Sequence, residues 1–410
     1  MKNKLSRRDF NRLACATASI PLLNSQIGWA ANRKDAADRD IVVVVFQRGA
    51  MDGLNAVVPY TESAYYSRRP TIAVPAPGAG ADTAIPLNDQ FALNPALAPF
   101  KALYDAGELA VVHAAGLTTP SRSHFDAQDF MERAWLAQGN VFDGWLNRYV
   151  SGLEASSATF RAVGMGTAVS RSLSGEAPVV GISSIEDFGI VSAAQRSDGL
   201  KTLLEQTFDG TSFVDTTGAR AFAAVDELAA SPAVLAGVEN GAVYPEGAFG
   251  ERLRDLAALI KSGLGVEVAT VDIGGWDTHN NQVAELNPLL SELAEGLAAF
   301  RTDLGALMSK VTVVTMTEFG RRVQENGSRG TDHGRGSAMF LLGGGVVGGQ
   351  VHTDWPSLAD SALDNGDLAV TIDYRSVLSE MLLKRAGVSD LTNIFPGLEN
   401  APTNGVFTSA

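Results

Sequence analysis

Apolar runs at residues 41–46, 109–113, 266–273, 311–316 and 338–342 alternate along this chain with stretches of helical periodicity. The first run, IVVVVF, is apolar at every position rather than every second one, which marks a strand buried on both faces. Strands of that kind, separated by helices, predict an α/β fold with a large, mostly parallel central sheet and helices on both faces. Asn94-Pro95 offers a cap and a proline at the first helical position, so a helix is expected to start there. Another is read over 121–135, opening on serines. Leu253, Leu256, Leu259 and Ile260 form one face of a helix over 251–261, and Leu286, Leu289, Leu290, Leu293 and Leu297 one face of the next. From 152 to 247 the pattern loosens into Ser, Thr, Gly and Ala, with a weaker helical run at 219–230, and predicts a cap or insertion over the sheet. Residues 75–81, rich in proline and glycine, read as a surface loop.

Residues 1–30 read as an export signal. Ser6-Arg7-Arg8-Asp9-Phe10 precedes a weakly apolar stretch over 13–23 and a small-residue cleavage pattern, Gly28-Trp29-Ala30. The twin arginines point to the Tat route, so the Tat export machinery is an expected partner and the periplasm or the exterior the expected location. Residues 31–410 are then a single domain. The apolar stretch is too short to span a bilayer and Pro21 interrupts it, so no stable membrane anchor is expected after cleavage. Cys15, the only cysteine, falls inside the signal, which leaves carboxylates and histidines to hold any metal. Lys2, Lys4, Arg7, Arg8 and Arg12 against Asp9 give the signal +4, so the overall −14 becomes −18 for the remainder. That acidity excludes nucleic acid as a partner and suits a site that gathers carboxylates around cations.

Ligands of open α/β sheets collect outside the carboxyl ends of the strands, so polar residues just past the apolar runs carry the chemistry. After the first run, the glycines of Gln47-Arg48-Gly49-Ala50-Met51-Asp52-Gly53 permit a tight turn that brings Asp52 to the sheet edge, although Asp-Gly is also a plain turn. After the second, Thr118-Thr119-Pro120-Ser121-Arg122-Ser123-His124 leads into a helix. There Ser121 or Ser123 can attack phosphorus or sulfur while the helix dipole and Arg122 grip the anionic oxygens, with His124 as a substrate contact. Ser123 with Asp126 also matches a helix-capping arrangement. After the third, Asp277 and His279 can turn to one cation, and carboxylate with imidazole suits zinc or manganese, with calcium or magnesium as further options. After the fourth, Glu318 leaves the strand directly, Arg321 follows as a second substrate contact, and Asp332 and His333 occupy a glycine-rich loop. His113 ends an apolar run and reads as a core or rim histidine, while His352 has little context.

Together FQRGAMDGLNAVVPY, SRSHFDAQDFMERAW, DIGGWDTHNNQ, TEFGRR and TDHGRGSAMFLLGG resemble the DUF1501 family of exported bacterial proteins, grouped with the alkaline phosphatase-like, sulfatase-like superfamily. The resemblance spans nearly all of the chain beyond the signal. It implies an alkaline phosphatase-like sheet with one or two divalent metals at the strand ends and a hydroxyl or modified cysteine that accepts the phosphoryl or sulfuryl group. By position Asp52 is similar to the first metal carboxylate, Ser121 or Ser123 to the nucleophile, and Asp277, His279 and His333 to the ligands of one metal. Glu318-Phe319 departs from the Asp-His that phosphatases of the superfamily usually carry, and no cysteine is available for a sulfatase formylglycine. Thr118, Ser121, Ser123 and a metal-activated water all remain open as the attacking group. The function implied is metal-dependent hydrolysis of a small anionic phosphate or sulfate ester, with Asp52, Asp277, His279, Glu318, Asp332 and His333 as metal ligands. The alternative is a non-catalytic periplasmic binding or surface-associated protein that keeps the fold.

Overall fold

The run at 41–47 forms β1 (Ile41–Gln47), and its two faces enter two different cores: Val43 and Val45 one, Val42, Val44 and Phe46 the other. Burial on both sides is what removes the polar alternation from its sequence. The computed structural model describes residues 40–135, 141–154, 156, 158–186, 213–231, 234, 236–398 and 403–409. The export signal read over residues 1–30 lies outside them.

Around β1 the large sheet is completed by β2 (Leu109–Gly116), β3 (Ala162–Met165), β4 (Val180–Ile182), β5 (Val268–Ile273), β6 (Val311–Met316), β7 (Ser337–Gly343), β8 (Val351–His352) and β9 (Ile372–Asp373). Their order is β8-β2-β7-β6-β1-β5-β3-β4, with β9 also paired to β2. Only β7 is antiparallel to its neighbours, β2 and β6; the other pairings are parallel. The expected mostly parallel α/β sheet is therefore present. Because β7 alone is reversed, its amino end lies along the same edge as the carboxyl ends of β1, β2, β5 and β6.

Helices cover both faces. On one, α1 (Ala98–Asp105), α5 (Ala248–Lys261) and α6 (Gln282–Leu304) bury Phe100, Leu253, Leu256, Leu286, Leu290 and Leu293 against Val43 and Val45. On the other, α2 (His124–Arg133), α3 (Trp145–Ser151) and α7 (Tyr374–Lys384) bury Met131, Trp145 and Val377 against Val42 and Val44. Full burial of a leucine contributes about 1.5–3 kcal/mol, so the Leu286, Leu290 and Leu293 stripe is what holds α6, and the loop before it, to the sheet. The Asn94 cap is in place: its side chain accepts from the Ala96 amide, and a short 3-10 turn from Pro95 leads into α1. Residues 75–81 form an irregular, largely exposed loop, as expected. Within 152–247, β3 and β4 extend the sheet beyond β5, and Ala224 and Leu228 of α4 (Phe213–Ala230) join the core beneath α5 and α6. That much of the segment is built into the fold rather than laid over it. Among the described residues no helix is long and apolar enough to cross a membrane.

Candidate metal centre

Three strand-end loops meet because one buried side chain ties them together. The Arg321 guanidinium, just beyond β6, donates to the carbonyls of Gly49 and Ala50 after β1, of Trp276 after β5, and of Thr331 before β7. It also donates to Asp277 Oδ1 at 2.7 Å. The loops approach so closely that side chains are excluded at the crossings. A Cβ on Gly49, whose φ is +120°, would stand 2.6 Å from the Asp277 nitrogen, and one on Gly334 would stand 2.4 Å from the Arg321 carbonyl carbon.

At this crossing three of the chain's five histidines converge on one carboxylate oxygen. Asp277 Oδ1 lies 3.1 Å from His333 Nε2, 3.4 Å from His124 Nε2 and 3.0 Å from His279 Nε2. His333 Nε2 is itself 3.0 Å from His124 Nε2 and 3.0 Å from His279 Nε2. The ligand atoms of His124, Asp277 and His333 all lie within 4.8 Å of one another. A zinc ion bound at about 2.0–2.1 Å sets tetrahedral ligands about 3.3 Å apart, so this trio has the dimensions of one face of such a site.

Hydrogen bonding alone gives a similar spacing, and the opposite ring nitrogens decide between the two. His124 Nδ1 faces Glu318 Oε1 at 2.8 Å, His333 Nδ1 faces the Arg122 carbonyl at 2.8 Å, and His279 Nδ1 faces Asp332 Oδ1 at 3.3 Å. Each of these oxygens accepts only, so an imidazole in its neutral form would carry its proton on Nδ1 and turn a bare Nε2 inward. In that form three lone pairs face a carboxylate oxygen that already accepts from Arg321, an arrangement that a cation would satisfy. A ligating histidine backed by a carboxylate or carbonyl is the usual second layer of a metal site.

Electrostatics keep the carboxylates ionised. Burial pushes the Asp277 carboxyl up, but the hydrogen bond and charge of Arg321 outweigh it and hold the group at about 2. Glu318 is wholly buried, and against that burial the donors His124, Gln128 and Gly49 keep its carboxyl below the ordinary value. The Glu318 bond in turn raises His124.

The structure thus redistributes the roles expected from sequence. Asp277, His279 and His333 come together, and His124, expected to contact substrate, joins them. Asp52 does not: wholly buried, it caps a helical turn through Leu54 and Asn55 and pairs with Arg69 at 2.6 Å, with Gln282 on the same oxygen. Its acceptor positions are filled, which corrects its reading as a ligand. Glu318 and Asp332 stand one layer back, behind His124 and His279. Arg321 is a buried tie between loops rather than a substrate contact. Ser123 caps α2 by accepting from the Asp126 amide, and Ser121 Oγ turns to the Ser123 backbone. Among the described residues neither hydroxyl bonds to a side chain of the cluster. Arg122 lends its carbonyl to His333 and pairs its half-exposed guanidinium with Asp367. His113 is a core histidine, fully buried with Nε2 on the Val57 carbonyl, and His352 Nε2 faces the Val347 carbonyl. Gln128, one turn along α2 from His124, was not singled out from sequence; its i, i+4 spacing from His124 was the available signal, and it donates to Glu318 Oε1 at 2.8 Å.

The model of the family "Protein of unknown function (DUF1501)" matches residues 39–385. No curated protein matches the sequence. Among solved structures, the PsFucS1 sulfatase from Pseudoalteromonas sp. aligns at 11% identity and a TM-score of 0.37, covering 91% of this chain and 76% of that one. The C-terminal periplasmic domain of EcEptC from Escherichia coli, in complex with zinc, aligns at 10% identity and 0.37, covering 90% of each chain. A protein of the alkaline phosphatase superfamily from Vibrio parahaemolyticus aligns at 8% and 0.35, covering 87% of this chain and 69% of that one. Superpositions this loose assign no role to any residue of this chain.

Proposed function

Because this chain belongs to the DUF1501 family, whose description names no reaction, we propose its function from the metal centre itself: metal-dependent hydrolysis of a small phosphate or sulfate ester. The observation that carries the reading is the set of three inward Nε2 atoms around Asp277 Oδ1, each ring fixed from behind by an oxygen acceptor. His124, His333 and Asp277 would hold the ion, with His279 beside them, and nitrogen with carboxylate oxygen suits zinc or manganese. A divalent ion there supplies Lewis acidity toward an ester oxygen and toward water. The chain's own residues do the rest. Glu318, Asp332 and the Arg122 carbonyl keep the rings aimed. The side chains of Asp277 and His279, 47% and 36% exposed, leave the centre open to a substrate from solvent. The amino end of α2 supplies positive potential to an anionic ester. With Ser123 acting as a cap, the attacking group in this reading is water.

The test is turnover of aryl phosphates and aryl sulfates by the stripped protein and by protein reloaded with zinc, manganese, calcium or magnesium. Activity that depends on metal and disappears in Asp277→Ala and His333→Ala supports the proposal. A wild type inert with every ion supports the non-catalytic alternative. Export by the Tat route belongs to the same proposal: a reporter fused behind residues 1–30 should reach the periplasm, and replacing Arg7 and Arg8 by lysine should stop it.

A further inference from the structure

We infer that the centre holds one ion rather than two, and that the buried guanidinium of Arg321 is the fixed second positive charge of the site. This deepens the metal-centre reading above and rests on it. Arg321 is 1% exposed, and four main-chain carbonyls from three loops hold its guanidinium in place. It cannot withdraw without leaving those buried carbonyls unpaired.

The two buried carboxylates nearest the crossing that a second ion could use, Asp52 and Glu318, already accept from protein donors. Asp52 accepts from Leu54, Asn55, Arg69 and Gln282. Glu318 accepts at Oε1 from Gly49, His124 and Gln128, and its Oε2 lies 3.3 Å from the Thr317 hydroxyl, whose proton goes to the Gln47 carbonyl. Asp332 Oδ1 takes His279 and Asn326. Among the described residues no second, separate group of three His, Cys, Asp or Glu gathers its ligand atoms. One ion and Arg321 offset the charges of Asp277, Glu318 and Asp332 around the crossing without a second metal. Being buried, Arg321 acts through Asp277: it is a positioning residue that fixes Oδ1 and keeps it ionised.

The test is metal counting on the full-length folded protein, stripped with a chelator, loaded with zinc alone and then with manganese alone, and desalted. One ion per chain, bound in a single step, is expected. Asp52→Asn should still bind one ion with a midpoint within about twofold of wild type, and Arg321→Lys one ion at least tenfold more weakly. Two ions per chain, or a count that drops in Asp52→Asn, would overturn the one-ion assignment while leaving the metal centre standing. Folded Arg321→Lys with unchanged affinity would overturn the role of Arg321; should that variant not fold, the wild-type count still decides between one ion and two. A chain that binds none overturns the metal-centre reading itself.

Discussion

Replacing Glu318 by glutamine changes the charge behind His124 while keeping the shape. The Glu318 carboxylate is wholly buried and accepts from His124 Nδ1 at 2.8 Å, Gln128 Nε2 at 2.8 Å and the Gly49 amide at 2.9 Å. Glutamine retains one acceptor oxygen for those donors, and its amide can face Thr317 Oγ1, which lies 3.3 Å from the present Oε2. What disappears is the negative charge. A bond to an ionised acceptor is roughly twice as strong as a neutral one, so the ring loses about 1–1.5 kcal/mol of orientation and becomes a weaker base. Loss of such a supporting group typically weakens metal binding about 10–100-fold, equivalent to about 1.4–2.7 kcal/mol. Competition titration of stripped protein with zinc against a chromophoric chelator at neutral pH measures the effect, and urea unfolding without metal controls for the fold. His124→Ala should weaken binding further than Glu318→Gln. Folded Glu318→Gln with zinc affinity within about twofold of wild type would refute the reasoning, because His124 would then be either no ligand or not oriented by Glu318.

Ser123→Ala should cost about 0.5–2 kcal/mol of stability through the lost cap and leave turnover of a reactive aryl ester within a few-fold of wild type; a thousandfold fall would restore the serine as nucleophile. Arg69→Met leaves the Asp52 charge buried without its partner, and should destabilise the fold by about 3–5 kcal/mol in urea titrations while zinc affinity stays the same. Burial pushes the His113 imidazole down to about 4, below its unfolded value of about 6.5, so between those pH values the unfolded chain binds the extra proton and stability falls as pH falls. The loss is about 3 kcal/mol across that window in metal-free protein. His113→Gln should flatten the corresponding slope of unfolding free energy against pH, and an unchanged slope would contradict the assignment.

The long strands were legible because two-sided burial writes itself as a largely apolar run, unbroken in IVVVVF at 41–46. The short ones were not: Ala162–Met165, Val180–Ile182, Val351–His352 and Ile372–Asp373 are two to four residues long and carry glycine or polar side chains, so only neighbouring strands define them. Asp277, His279 and His333 could be read as candidate ligands because strand ends collect ligands. His124 met the same criterion, yet at the first turn of a helix it was read with the anion-gripping residues around it. Asp52 and Glu318 show the limit from the other side. Whether a strand-end carboxylate meets a metal or a protein donor depends on which distant groups reach it, here Arg69 and Gln282 for one and His124 and Gln128 for the other, and no local pattern encodes that.

Anomalous diffraction from zinc-soaked crystals tests the metal centre most directly. The predicted result is a single peak at zinc-ligand distance, about 2.0–2.2 Å, from Nε2 of His124, Nε2 of His333 and a carboxylate oxygen of Asp277, with Glu318 and the Arg122 carbonyl still on the outer nitrogens of the two rings. No peak at that crossing, or a peak elsewhere while the three Nε2 atoms remain facing one another, would contradict it.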